Sequence, residues 1–453
     1  MSFLSNFKLH VCIAFLLVIT NLISLKYLIC IYIAIQSINI ILNLRNDFAF
    51  LPLIIITKIQ GKNFKLSRDL SEIKSCLKGS DKGHVIEELF AMPAWYPILS
   101  VESVNGKTWE IVKQNLMKFK AYIPSNKKIG LIAKKEAENL LQKKEKINSK
   151  SISKLTLKIF LKFLFCENNK PIITESNTDS DTNTVNDNEV SKKNENEKNK
   201  NNIQDSNNND IEEKNRIPTY ENTFKENDFD FIDQYLTEEY LENMFDWGIQ
   251  WRKEIALKEK GCLDKKMKAI NSIVNILKQS KFKNLFNWEN PECYSFIMQP
   301  FIISPMINIS DIAVSLKNKI DDFEKYEEFN GYLDHCLFEE HPFPILERYI
   351  KESNTQFFVD LRDMKNNFDE KEAAKILNFG TGIRGCLGKY YAKEFIKNFF
   401  EDIIKEDFFV PLEGHLYSGR NNDKENFQES IYQMKLLFGI IISEIKRNFF
   451  NIK

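Results

Sequence analysis

The stretch FGTGIRGCLGKYYA, which runs from Phe379 to Ala392, places one cysteine among four glycines. The whole chain of 453 residues has only 15 glycines and eight cysteines, so this concentration stands out. Glycines allow backbone conformations and close approaches that other residues cannot make. The residues after Cys386 are apolar at helical spacing, which predicts a long amphipathic helix that begins at the cysteine. The stretch therefore predicts a tight loop that leads into a helix.

Three kinds of site compete for this loop. The first is a dinucleotide-binding turn, since Gly380, Gly382 and Gly385 match G-x-G-x-x-G, but that pattern should follow a buried strand and the preceding segment is helix-like. A P-loop is excluded because Tyr390 stands where serine or threonine is required. The second is a structural glycine-rich turn with an incidental buried cysteine. The third is a thiolate metal ligand, whose pKa a helix N-terminus would lower.

The residues near the cysteine suit the third kind of site. Glycines let backbone N–H groups approach the sulfur atom, and such contacts tune an axial metal ligand. Arg384 adds a guanidinium group, which can bind a carboxylate through two hydrogen bonds. A thiolate, glycines and a nearby arginine are what a cysteine-ligated haem with two propionates requires.

The loop resembles the haem-binding loop of the cytochrome P-450 superfamily, F-x-x-G-x-R-x-C-x-G, with the family's alanine also in place. The five matching positions are Phe379, Gly382, Arg384, Cys386 and Gly388. The resemblance implies haem b as cofactor, with Cys386 as the axial thiolate ligand of the iron and Arg384 as a propionate partner. It also implies the family's mainly helical fold.

Two other segments resemble parts of the same family. VNGKTWEIVKQNLMKF (104–119) is similar to a helix in which Trp109 and Lys113 would meet a haem propionate. HPFPILER (341–348) is similar to a proline-rich segment that would place Arg348 near the other propionate. These segments stand in the family's order along the chain, which extends the resemblance over most of the predicted domain.

Apolar spacing in the rest of the chain is mostly helical, as in KAINSIVNILKQ. Strand-like pieces are short, such as LIIITKI (53–59) and QFFVDL (356–361). We therefore predict a mainly α domain with a minor β-sheet over residues 46–453. Within it, residues 167–216 contain no aromatic side chain and cannot bury enough surface to offset the entropy of ordering. This stretch is predicted to be a disordered low-complexity insert.

The family's E-x-x-R pair is missing from this chain. By the resemblance it should fall at Cys336 and Glu339. An acid–guanidinium pair that holds the proximal side of the haem is therefore absent, and the cysteine loop must be held in another way or held poorly.

The predicted distal helix, SFIMQPFIISPMINISDIAVSLKNKI (295–320), also departs from the family. Ser304-Pro305 stands in place of the acid–threonine pair that normally delivers protons. Arg-Pro at this place is typical of the fatty-acid peroxygenase branch, but here the arginine is replaced by serine. A monooxygenase would need another proton path, through Ser304, Asn308 or ordered water. A buried helix kinked by prolines is the simpler structural interpretation.

The N-terminus carries two apolar runs, at 11–25 and 27–43, separated only by Lys26. Their length suits one tilted membrane span or a short hairpin. Residues 1–45 are therefore predicted to be a membrane anchor. Flanking basic residues slightly favour a cytosolic domain, which predicts a protein of the endoplasmic reticulum membrane whose haem domain faces the cytosol.

Composition and charge limit the partners. With 63 basic and 63 acidic residues the formal net charge is zero, which gives no reason to expect nucleic acid. The cysteines lack CxxC pairs, which argues against a zinc site and a disulfide framework. Lys389, Lys393 and Lys397 follow the cysteine at four-residue intervals. They could dock an acidic electron donor such as a reductase, or form a solvated helix face.

These patterns predict a membrane-anchored haem-thiolate oxidoreductase of cytochrome P-450 type that oxidises a hydrophobic small molecule. It would act as a monooxygenase, or as a peroxygenase or isomerase that needs no external electrons. The alternative is a catalytically degenerate haem-binding membrane protein, consistent with the missing E-x-x-R pair. A membrane scaffold with a chance match to the motif is the third possibility.

Overall fold

The computed structural model describes residues 50–167, 226–253 and 262–410. The predicted membrane anchor at 1–45 lies outside these described residues, and so does the predicted insert at 167–216 apart from its first residue. Both remain predictions from the sequence.

Helices make up most of the described chain, and one small sheet accompanies them, as predicted. The helices in chain order are α1 Leu51–Ile59, α2 Leu70–Gly79, α3 Met92–Trp95, α4 Gly106–Lys120, α5 Asn126–Lys143, α6 Ser149–Phe165, α7 Asp230–Asp233, α8 Glu238–Lys253, α9 Cys262–Gln279, α10 Pro291–Ile297, α11 Ser304–Asn318, α12 Phe329–Glu339, α13 Met364–Asn367, α14 Glu370–Ile376 and α15 Lys389–Phe400. The strands are β1 Asn63–Leu66, β2 Ile345–Ile350 and β3 Thr355–Asp360. Short 3₁₀-helices occupy Glu226–Phe229, Ile320–Lys325 and Gly382–Arg384, and π-helical turns occupy Glu87–Ala91 and Met298–Ile303.

The sheet has the strand order β1-β3-β2. β1 runs parallel to β3, and β2 runs antiparallel to it with Arg348 opposite Phe357. β3 is central and nearly all of its residues are buried, as its apolar sequence requires. The strand predicted at 356–361 is therefore confirmed, with a shift of one residue at each end.

The strand-like segment at 53–59 belongs to helix α1, so that part of the prediction is wrong. A short run of β-branched apolar residues does not distinguish a strand from a partly buried helix by its periodicity. Two residues at the ends of this segment indicate a helix more clearly than its apolar run indicates a strand. Pro52 stands in the first helical turn, and Gly61 takes a φ of 71° just after the last turn.

A continuous helical segment, Pro291–Asn318, crosses the middle of the protein. It consists of α10, the π-helical turn with Pro300, and α11, which has Pro305 in its first turn. Among the described residues it is the one helix long and apolar enough to span a membrane. However, 78% of its most apolar window is buried inside the protein, which makes it the central core helix. The buried helix with prolines predicted at 295–320 is thus found at Pro291–Asn318, where it forms the core.

The largest hydrophobic core surrounds this central helix. α11 packs against α6, and α15 packs against α5. A second cluster joins the sheet to α2 and α14. The cysteine loop lies between α14 and α15, where these two clusters meet, so both cores fix its position relative to the central helix.

Candidate functional site

The cysteine loop is a tight turn that requires glycine at two positions. Gly380 and Gly382 have φ angles of 65° and 73°, in the left-handed region. A Cβ atom at Gly382 would lie 2.2 Å from the carbonyl oxygen of Leu77, so only glycine lets the loop pack on α2. The N–H of Cys386 donates to the carbonyl oxygen of Phe379 at 2.8 Å and closes the loop.

The Cys386 sulfur opens into a cavity of about 310 Å³, while protein surrounds the residue on its other sides. This burial raises the pKa of the thiol to about 11, although N–H groups of Gly388 and Lys389 reach the sulfur and act in the opposite direction. The predicted lowering of the pKa by a helix N-terminus is therefore wrong, since burial outweighs it. The helix also begins at Lys389 rather than at the cysteine. A bound metal cation would reverse the shift, because it deprotonates a coordinating thiol.

The cavity brings together residues that are far apart in the sequence. Of the ten predicted site residues, nine line it: Trp109, Lys113, Ser304, Asn308, Arg348, Phe379, Arg384, Cys386 and Gly388. The tenth, Gly382, does not line the cavity in the described part of the chain; it lets the loop pack against α2. The central helix forms the wall opposite the loop, with Phe301 and Ile309 among its apolar residues.

Arg384 is held at the cavity wall by uncharged hydrogen-bond acceptors. It donates to the carbonyl oxygen of Val104 at 2.8 Å and to the side-chain oxygen of Asn105 at 2.8 Å. Its guanidinium carbon lies 4.2 Å from the centroid of the Trp109 ring, a cation–π arrangement. Burial and the nearby charge of Arg348 lower the pKa of Arg384 to about 10. Among the described residues its Nε has no hydrogen-bond partner.

Arg348 is the second buried cation, with 3% of its surface exposed. One terminal nitrogen donates to the carbonyl oxygen of Glu347 at 2.7 Å, whereas Nε finds no partner in the described chain. Burial lowers the pKa of this guanidinium too. Lys113 is the other basic residue predicted to meet a haem propionate. Its Nζ lies 3.4 Å from the carbonyl oxygen of Ile383, so it contacts the cysteine loop.

The residues present fit a haem. Two buried guanidinium groups line one cavity, and the charge of Arg348 lowers the pKa of Arg384. Each guanidinium leaves its Nε–H without a partner in the described chain, which is costly unless an acceptor binds there. The nearest acid that pairs with Arg384 is Asp81, at 3.9 Å, and it is about half exposed. A haem carries two carboxylates that would satisfy both arginines. Its iron would provide the cation that Cys386 needs to ionise.

The sequence analysis missed several polar residues of this cavity. Among the polar lining residues outside the predicted set, Lys82, Glu87, Glu102 and Gln299 are four of several that the cavity holds. Lys82 pairs with Glu87 at 3.2 Å. Glu102 is open to the cavity, yet desolvation by the surrounding protein raises the pKa of its carboxyl, and the charge of Lys82 opposes that rise. No local pattern marks these residues, because in a lysine- and glutamate-rich chain only the tertiary fold shows which of them are enclosed.

Ser304 and Asn308, the predicted distal residues, face the cavity from α11. The side-chain nitrogen of Gln299 lies 3.5 Å from the Ser304 hydroxyl, while its oxygen is buried without a partner in the described chain. These groups form a polar strip on the side of the central helix that lines the cavity. The strip could orient a substrate or pass a proton, and its role remains a prediction.

The positions of the missing E-x-x-R pair have other contacts. Cys336 is buried in the core. Glu339, which stands where the arginine was expected, pairs with Lys319 at 3.1 Å and with Lys365 at 3.3 Å. A carboxylate bound by two lysines thus replaces the expected arginine.

No protein-family model matches this chain, and no curated protein matches its sequence. Several solved structures that match are those of cytochromes P-450. CYP175A1 from Thermus thermophilus has 11% identity and a TM-score of 0.47, over 76% of this chain and 82% of that one. A cytochrome P-450 from the archaeon Picrophilus torridus, bound to 4-phenylimidazole, has 13% identity and a TM-score of 0.44, over 75% and 88%. A six-coordinated cytochrome P-450 from another strain of Thermus thermophilus has 10% identity and a TM-score of 0.43, over 75% and 84%. Likeness this distant carries no argument about site or activity.

Proposed function

We propose that this chain is a haem-thiolate oxidoreductase of the cytochrome P-450 type, which binds haem b through Cys386 and oxidises a hydrophobic small molecule. One observation carries the proposal. The sulfur of Cys386 opens into a cavity that also holds two buried arginines with unsatisfied N–H groups. A thiolate ligand donates electron density to a bound haem iron, and this supports oxidation chemistry.

Each part of the cavity has a role in this proposal. The backbone N–H groups of Gly388 and Lys389 lie near the sulfur, where they favour the thiolate and moderate its charge. Arg384 and Arg348 hold the two propionates, with Trp109 stacked on the first guanidinium. The apolar residues of the central helix exclude water and favour a hydrophobic substrate.

The test is the absorbance difference spectrum of the purified, reduced protein with and without carbon monoxide. We expect a Soret band shifted far to the red in the wild type. Cys386→Ala should lose that band, while the matched control Cys293→Ala should keep it, because Cys293 is buried in α10 away from the cavity. A wild-type band typical of histidine or neutral-thiol ligation would contradict the proposal, and so would a thiolate band that survives in Cys386→Ala.

Two reaction types remain within this proposal. A monooxygenase would require an electron donor such as a reductase, together with a proton path through Ser304, Asn308 or water. A peroxygenase or isomerase would require neither. The resemblance to the fatty-acid peroxygenase branch has no support beyond Pro305. Turnover with peroxide alone would favour the peroxygenase, whereas turnover only with reductase and NADPH would favour the monooxygenase.

The second candidate is a haem-binding membrane protein without turnover. The observation in its favour is that Cys336 and Glu339 occupy the positions of the E-x-x-R pair. A stable thiolate spectrum without turnover, either with peroxide or with reductase and NADPH, would support this candidate.

For location, we propose that residues 1–45 anchor the protein in the endoplasmic reticulum membrane with the haem domain in the cytosol. Membrane fractionation tests this with the full chain and with a chain that begins at residue 46. The shorter chain should leave the membrane pellet, and its retention there would contradict the anchor.

A further inference from the structure

One aspartate contacts the chain on both sides of the cysteine loop. Asp334 lies in α12. Before the loop, the side-chain nitrogen of Asn378 donates to the Asp334 carbonyl oxygen at 3.1 Å and to its Oδ1 at 3.2 Å. After the loop, Nζ of Lys393 lies 3.0 and 2.9 Å from the two carboxylate oxygens of Asp334. The loop from Phe379 to Ala392 is therefore closed between two contacts to a single residue.

The helix that carries Asp334 is itself firmly placed. The hydroxyl of Tyr332 donates to the carbonyl oxygen of Leu316 in the central helix. His335 contacts Glu370 of α14 through Nδ1 at 3.0 Å. α12 therefore connects the central helix, on one side of the cavity, with the segment that leads into the cysteine loop.

The contacts continue from Asp334 to the sulfur-bearing residue. Nζ of Lys393 lies 5.7 Å from the centroid of the Phe379 ring. The carbonyl oxygen of Phe379 accepts the N–H of Cys386 at 2.8 Å. Asn378 is nearly buried, with 8% of its surface exposed. A displacement of either end of the loop would therefore move the cysteine backbone.

We propose that Asp334 is a positioning residue for Cys386, which holds both ends of the cysteine loop and takes over the anchoring that the missing E-x-x-R pair would provide. The inference rests on the proposed haem-thiolate function. It also assigns Lys393 a structural role in place of docking an electron donor. An ordinary exposed ion pair contributes about 1 kcal/mol or less and would leave the metal ligand unchanged, so the two interpretations make different predictions.

The experiment compares variants of the full haem-loaded protein. Asp334→Ala removes both side-chain contacts, Asp334→Asn keeps an acceptor for Asn378 but loses the charge that binds Lys393, and Lys393→Met removes the second contact alone. Asp334→Glu keeps the carboxylate. Asp360→Asn is the matched control, since it breaks an ion pair of similar geometry with Arg362, at 2.9 Å, away from the loop. The readouts are the carbon monoxide difference spectrum and the rate of haem transfer to apomyoglobin.

For Asp334→Ala we expect haem loss roughly tenfold faster, which is the lower end of the effect of removing residues that orient a metal ligand, because Asp334 acts on Cys386 only through the two ends of the loop. Part of the carbon monoxide band should move to the position of neutral-thiol ligation. Asp334→Asn and Lys393→Met should show smaller effects in the same direction, Asp334→Glu should restore the band, and the control should match the wild type. Should Asp334→Ala fail to fold, the two partial variants decide the question.

Two results would overturn the inference in distinguishable ways. A wild-type thiolate band that stays unchanged in Asp334→Ala, with unchanged haem loss, would overturn the positioning role and leave the proposed function intact. A folded wild-type protein without a thiolate band would overturn the proposed function and this inference with it.

Discussion

Gly83 has no side chain, and this leaves room for the side chain of Glu347 in the cavity wall. The Glu347 side chain is 2% exposed and accepts the N–H groups of Val85, Ile86 and Glu87 at 3.0, 2.8 and 3.1 Å. A methyl group at Gly83 would lie 1.9 Å from Cδ of Glu347 and 2.3 Å from Oε1. Gly83→Ala should therefore push the carboxylate out of its place and break all three hydrogen bonds.

The expected cost follows from those bonds. Each contributes about 1 kcal/mol, so their loss should cost about 3 kcal/mol. Gly83 does not have a left-handed backbone, so the alanine adds no conformational strain and the cost comes from the collision alone. About 3 kcal/mol corresponds to a change of roughly 10² in the equilibrium for local opening. Glu347→Ala should cost a similar amount, because it leaves the same N–H groups without their acceptor.

Amide hydrogen exchange of the segment around residues 85–87 is the direct assay, since it measures local opening. Burial raises the pKa of Glu347 to about 7 while the three N–H groups oppose that shift, so the measurement belongs at a pH of about 8. Gly79→Ala is the control, because no atom lies within 4 Å of its added methyl group.

The double variant Gly83→Ala with Glu347→Ala provides the critical comparison. Its added methyl group occupies the space that the glutamate has left, so its exchange should match that of Glu347→Ala alone, with a coupling energy of about 3 kcal/mol. Additive effects of the two changes would refute the reasoning. Unchanged protection in Gly83→Ala would refute it as well.

Three further predictions concern the cysteine loop. Gly382→Ala should cost about 3 kcal/mol or more, because its Cβ would meet a backbone oxygen at 2.2 Å. Gly106→Ala has a left-handed backbone but open space, so it should cost only about 1–2 kcal/mol; equal costs in urea unfolding would contradict the collision. Arg384→Lys should lower stability by about 2 kcal/mol in the same assay, because lysine keeps the charge but leaves acceptors at Val104 and Asn105 unsatisfied; wild-type stability would show that charge alone suffices. Without haem, the alkylation rate of Cys386 should still rise about tenfold per pH unit above a pH of about 8.5. The rate of an ordinary thiol, with a pKa of about 8.5, levels off in that range. An ordinary profile would contradict the raised pKa of about 11.

The shape of the cysteine loop could be predicted because its requirements are local. Gly382 must be glycine because of its φ of 73°, and the residues after Cys386 show helical spacing within one short window. The central strand β3 was predictable for a similar reason, since an apolar run between turn residues suits a buried strand. Helix α1 was not predicted, because a run of isoleucines suits a strand or a helix, and only the flanking Pro52 and Gly61 favour the helix.

Contacts between distant parts of the chain could not be predicted in this way. Glu347 and Val85 lie 262 residues apart in the sequence, and Asp334 lies 44 residues from Asn378. Neither acid belongs to a pattern that distinguishes it from the many other acidic residues of the chain. Lys82 and Glu102 became candidates only when the fold placed them in the wall of the same cavity as Arg348.

The amino-acid sequence by itself determined that a cysteine stands in a glycine-rich turn before a helix, with arginines at positions suited to carboxylates. Only the tertiary structure decided how strongly the thiol of that cysteine is desolvated before any metal binds it. The sequence pattern indicated a lowered pKa, since a helix N-terminus favours the thiolate, yet the pKa is raised to about 11. The physical reason is that a helix end acts through a few local N–H groups, whereas desolvation depends on every segment that packs around the sulfur.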